Sequence, residues 1–100
     1  GVMFNLCLVL KVEPKNDLKT TLLEAEDLLW QVSTSGAEIG GTNWGQLIQT
    51  LDRGDFKQKA LFQILDEIGF SGNVGFQCYA IRGNSRENLK RSMDAWKKLR

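Results

Sequence analysis

The chain has 100 residues, 42% hydrophobic and 25% charged, an ordinary globular composition that suits one small domain or a portion of a larger one. Its formal net charge is +1 with the signs mixed along the chain, which leaves no electrostatic footprint for nucleic acid or a membrane surface. No run approaches the ~20 apolar residues of a membrane span, and histidine is absent, which excludes Ser-His and Cys-His pairs and imidazole metal ligands within the chain.

The first segment, Val2 to Leu10 (VMFNLCLVL), is an almost continuous apolar run and predicts a strand covered on both faces. No basic region precedes it, so it does not read as a signal peptide. The chain enters this strand at its second residue, which predicts an excerpt of a longer sequence, and the compartment is cytoplasmic only by default. Pro14 is expected to stop regular structure, and Asn16 or Asp17 to cap the helix that follows. Leu18, Leu22, Ala25 and Leu29 recur at helical spacing and predict a helix from Leu18 to about Leu29. A second strand is expected over Leu29–Thr34 (LWQVST).

A long glycine-bearing loop, SGAEIGGTNWGQ, comes next, with a turn of helix over WGQLIQ. Loops of this length are often functional. Asp55 is placed to cap the next helix, whose apolar residues include Phe56, Ala60, Phe62, Leu65 and Ile68, and Gly69 stops it. The third strand is GNVGFQCYA. The last helix, about Ser85 to Leu99, carries Leu89, Met93, Trp96 and Leu99 at three- and four-residue steps. Ser85 is its expected cap, and Lys97, Lys98 and Arg100 suit its negative end. Three strand–helix units in a row imply an α/β fold with parallel strands and right-handed crossovers.

The stretch LDRGDFKQKALFQILDEIGFSGNVGFQ joins an acidic glycine turn, an amphipathic helix and a polar residue on the last strand. In that order it resembles the C-terminal part of the sugar phosphate isomerase/epimerase proteins of the xylose isomerase-like family, over essentially the whole chain. The resemblance implies a partial (β/α)8 TIM barrel, residues 1–100 forming its C-terminal portion. FNLC would be barrel strand six, WQVSTSGAE strand seven, VGFQCYAI strand eight, and ENLKRSMDAWKKL the closing helix. It implies proton transfer between adjacent carbons of a sugar or sugar phosphate, assisted by a divalent metal in the full-length parent. Two positions depart from the pattern. Leu8 or a neighbour stands at the strand-six histidine, and Gln77 stands at the strand-eight glutamate. A neutral amide hydrogen-bonds a hydroxyl but cannot act as a general base. This chain alone is therefore expected to be inactive and to hold no metal.

Gln77 is the candidate at the catalytic position, read either as the remnant of a carboxylate kept for binding or as a structural amide. Four substrate-binding candidates accompany it. Glu38 lies with Gly40, Gly41 and Trp44 in the loop after the second strand, where successive N–H groups can cradle an oxyanion and Trp44 can stack on a sugar. The plainer alternative is a loop anchored by a half-buried tryptophan. Lys11 (beside Glu13) and Arg82 follow the first and third strands, where a cation can hold a phosphate or simply face solvent. Asp52 and Asp55 read as turn and cap residues rather than an acid/base pair, and Trp96 reads as core. Cys7 and Cys78 read as buried, unbridged residues on strands one and three, too far apart for a disulfide. Two other readings stay open: a metal-free carbohydrate-binding barrel, and a partial barrel acting as an assembly unit. Unpaired edges at both outer strands, and inward faces including Leu6, Val32 and Gly75, predict self-association or contact with the missing barrel strands.

Overall fold

Parallel pairing organises the chain, whose computed structural model describes residues 1–13 and 17–99. Among these residues the strands β1 (Val2–Asn5), β2 (Leu29–Thr34) and β3 (Asn73–Phe76) form one sheet in the order β1-β2-β3. Helices α1 (Leu6–Val12) and α2 (Leu18–Glu24) follow β1. Helices α3 (Trp44–Leu47) and α4 (Gln58–Glu67) follow β2, and α5 (Ser85–Leu99) follows β3. The expected α/β class, parallel pairing and sequential strand order are all present. The expectations for Pro14, Asn16 and Arg100 lie outside the described residues.

The first element differs from expectation. The strand stops at Asn5, and LCLVLKV is helical, burying Leu6, Cys7 and Leu10 while Leu8 is 50% exposed. Three leucines within five residues favour helix as readily as strand, and an apolar run without alternation does not separate the two. Cys7 is consequently a helical residue, and Cys78 is exposed beyond the end of β3; both are free thiols. The expected burial of Cys78 is thus corrected.

Register sorts the side chains into two faces. Phe4, Val32 and Val74 lie side by side, with Thr34 opposite Phe76, and this face meets the helices. Phe76 sits edge-on to Trp96 of α5 at 6.3 Å, and Trp96 meets Phe62 of α4 at 5.0 Å, so Trp96 does join the core. Met3, Gln31 and Asn73 form one row of the other face, and Asn5, Ser33 and Gly75 the next. None of these six is buried. The expected inward apolar face is therefore largely polar: Val32 points to the helices, and Leu6 is buried in α1.

Several helix ends also shift. Asp17 caps α2 by accepting from the Lys19 and Thr20 amides, and α2 ends at Glu24, because a turn at Ala25–Leu28 delivers Leu29 to β2. Asp55 does not cap α4, since its carboxylate accepts from the Ile39 amide at 2.6 Å. At the other end, Gly69 at φ 72° closes α4: its N–H bonds Asp66 O and that of Phe70 bonds Leu65 O, a Schellman stop. Asn84, not Ser85, caps α5 by accepting from Glu87 N–H at 3.0 Å. Along α5, Trp96 and Leu99 pack on the core, while Leu89 and Met93 stay largely exposed. No helix among the described residues is long and apolar enough to cross a membrane.

Candidate functional site

The carboxyl ends of the parallel strands converge on a cavity of about 280 Å³ lined by Asn5, Cys7, Leu8, Trp44, Ile48, Gln77 and Tyr79. This is the end of a parallel sheet where ligands bind, because successive loops meet there without crossing the helix layer. Asn5 closes β1, α1 supplies Cys7 and Leu8, α3 supplies Trp44, and the chain just past β3 supplies Gln77 and Tyr79.

Gln77 extends the pairing by one residue, since its N–H donates to Thr34 O at 2.8 Å. Its Oε1 accepts from the Tyr79 amide at 3.2 Å, and its Nε2 makes no hydrogen bond among the described residues. The side chain therefore organises its own loop through one end and keeps two donor hydrogens for a ligand at the other. This geometry is compatible with the structural and with the binding reading of Gln77. Cys7 donates to Asn5 Oδ1 at 3.0 Å, and burial pushes the thiol above its ordinary pKa against the opposing backbone hydrogen bonds. It is a poor nucleophile at neutral pH. Among the described residues no carboxylate or imidazole lines this cavity, so neither of the commonest kinds of general base is present there.

Trp44 is half exposed, and Lys11 Nζ lies 5.7 Å from its ring centroid while donating to Thr42 O. Lys11 thus grips the loop that carries Trp44 and stands outside the cavity lining. Asn43 supports the same turn by accepting from Gln46 N–H.

Glu38 is exposed and outside the cavity. The amides expected to cradle an oxyanion are largely engaged: Glu38 N–H bonds Gln46 O, Ile39 bonds Asp55, Gly41 bonds Glu38 O, and Thr42 bonds Gln46 Oε1. Arg82 lies beyond Ile48, in a neighbouring depression. Of the sequence candidates, Gln77 and Trp44 meet, Lys11 stands behind Trp44, and Glu38 and Arg82 stand apart.

Asp52 is paired with Arg91 of α5 at 2.5 Å. Burial works to raise its pKa, but the neighbouring Thr50 hydroxyl and the Arg91 guanidinium outweigh it and hold the carboxyl below its usual range. No group of three or more His, Cys, Asp or Glu residues placed to hold a metal occurs among the described residues.

Sequence reasoning missed Asn5 and Tyr79 in the cavity, and Gln58 behind it. Gln58 is buried on α4, accepts from Thr34 Oγ1 at 2.7 Å and donates to Ser35 O at 2.6 Å. The available signal was its place on the stripe Gln58, Leu61, Phe62 and Leu65, where a polar residue must find buried partners.

No protein-family model and no curated protein matches the chain.

Proposed function

We propose that the chain is the C-terminal part of a barrel of the sugar phosphate isomerase/epimerase kind, and that its own residues bind the sugar instead of moving its proton. The observation that carries this is the cavity at the carboxyl ends of three sequential parallel strands, where Gln77 and Trp44 meet and no base is present. An amide with free donors and an indole face suit a polyhydroxylated ligand: hydroxyls accept from the amide, and the C–H face of a sugar packs on the ring. In this reading the strands that precede β1 in the parent supply the proton-transferring carboxylates. The family's divalent metal does not fit the donors of this chain, because Leu8 offers none and Gln77 offers only a neutral carbonyl.

A metal-free carbohydrate-binding barrel is the second reading, favoured by the same lack of an ionisable base. The third, a partial barrel used as an assembly unit, draws support from β1 and β3, which among the described residues each have one outer edge unpaired. On either barrel reading those edges pair with further strands, and light scattering on the isolated chain should show association.

Binding and proton transfer separate in one experiment. Keto pentoses and hexoses are incubated with the protein in D₂O, while tryptophan fluorescence reports binding and NMR reports deuterium at the carbons flanking the carbonyl. Saturable quenching without deuterium uptake, abolished by Trp44→Ala and weakened by Gln77→Ala, is the expected result. Uptake of deuterium that depends on Gln77 would contradict the assignment of this chain to binding. Absence of any saturable quenching would overturn the sugar site itself.

A further inference from the structure

Trp44 reaches the candidate cavity on weak local support. Helix α3, which carries it, is one turn of four residues, and a single turn has little stability of its own. The indole is half exposed, and the edge-on ring contacts of the core belong to Trp96 instead. What Trp44 does have is Lys11. The Nζ of this lysine donates to Thr42 O, two residues before Trp44, and stands over the indole at 5.7 Å from its centroid.

One ammonium thus anchors both the backbone that leads into α3 and the ring itself, by a charge-assisted hydrogen bond and a cation–π contact. Thr42 is held through its N–H as well, which donates to Gln46 Oε1, and Asn43 caps the turn. The anchor is remote in sequence: Lys11 lies on α1, the helix that also supplies Cys7 and Leu8 to the cavity. Its position limits what it can do. Trp44 lines the cavity and Lys11 does not, so the ring stands between the ammonium and the cavity.

We propose that Lys11 is the positioning residue of the candidate site: it holds the Trp44 ring with one face towards its ammonium and leaves the other face to a ligand, without touching that ligand itself. A cation suits the task on an exposed surface, because it attracts the ring face electrostatically and needs no close-packed shell around it. The inference rests on the sugar reading only for what packs on the free face. How firmly the ring is set is a property of the protein without ligand.

Lys11→Met keeps the length of the stem and removes the charge; Lys11→Arg keeps the charge and the reach. In the protein without ligand, NMR relaxation follows the Trp44 indole Nε1–H, assigned through Trp44→Phe. With ligand, saturable quenching by the same keto pentoses and hexoses gives the dissociation constant. In Lys11→Met the indole signal should shift and its order parameter should fall from the rigid towards the flexible range. The dissociation constant should rise roughly tenfold, the worth of a lost cation–π contact and a lost charge-assisted hydrogen bond. Lys11→Arg should restore both, because a guanidinium also donates and stacks on an aromatic face. Lys59→Met on α4, which removes a positive charge elsewhere, should change neither. Both lysines are exposed, and unchanged thermal midpoints separate a loosened ring from a loosened fold. An indole that ignores Lys11→Met, or a loss that Lys11→Arg does not recover, would overturn the positioning role. So would a loosened ring with unchanged affinity. If no sugar quenches the wild type, the sugar reading falls and the free indole alone decides: a ring loosened by Lys11→Met and restored by Lys11→Arg keeps the inference.

Discussion

The loops after β2 and β3 form two walls of the candidate site, beside Asn5, Cys7 and Leu8, and they are built in different ways. Residues 35–57 are tied at many points: Gly36 and Gln49 exchange both backbone hydrogen bonds, Ser35 Oγ donates to Leu47 O, and Gln58 reaches back to Ser35 O. Residues 77–84 hold themselves with less: the Gln77–Tyr79 contact, a long Ile81–Cys78 bond at 3.4 Å, and the grip of Asn88 on Arg82. Tyr79 in this wall is 69% exposed. The first wall is part of the folding unit; the second is positioned by it. Substitutions in the first should therefore cost stability, and those in the second should act on binding.

Gly36→Ala tests the first wall hardest. A β-carbon there would sit 2.0 Å from Thr50 O and 2.6 Å from Arg53 O, and both are backbone atoms that no rotamer change can move. The loop must separate at its antiparallel bridge, so we expect a loss on the order of 3 kcal/mol in urea unfolding. A loss below about 0.5 kcal/mol, the range of neutral surface changes, would show that this wall is not tied as described.

Gln58→Leu comes next. It preserves volume but leaves Thr34 Oγ1 and Ser35 O buried without their partner, for a cost of about 2 kcal/mol. The double variant with Thr34→Val sharpens the comparison, because it removes one of the two orphaned groups. Stability should recover in part, as a double-mutant cycle would read. Full additivity of the two single changes would mean the amide and hydroxyl are not coupled.

Legibility in the sequence divides along the same line. Helix α5 and strand β2 match their expected bounds because period and boundary signals agree: Leu29–Thr34 lies between a turn and a glycine loop, and Trp96 and Leu99 repeat on one stripe. The run Val2–Leu10 misled because it carries no period, and only Asn5, a polar break at the actual junction, marked the change from strand to helix. Gln77 and Trp44 line one cavity because a strand end and a long loop lie at the same end of the sheet. The place of Glu38 outside that cavity was not legible, because amide engagement in residues 38–42 depends on Gln46 and Asp55, partners four to sixteen residues away.

The smallest effect is expected where the first wall is joined to α5. Leu51 N–H donates to Ser92 Oγ at 3.1 Å, and Asp52 pairs with Arg91, so this joint fixes the wall against the helix that follows the second wall. The Asp52 pKa is lowered in the folded state, with the Thr50 and Arg91 side chains outweighing burial. A lowered carboxylate pKa stabilises above the unfolded value of about 3.9, and that contribution fades as pH falls through the folded value. Both side chains are more than a third exposed, at 41% for Arg91 and 34% for Asp52, so solvent screening limits the pair to about 0.5 kcal/mol. Asp17 and Asp94 shift the same way, so acid sensitivity of the wild type alone does not isolate this pair. Asp52→Asn does: near pH 7 it should be slightly less stable than the wild type, and the gap should close below the unfolded carboxylate pKa as Asp52 itself takes up a proton. A stability gap that persists in acid would assign the role of Asp52 to shape instead of charge.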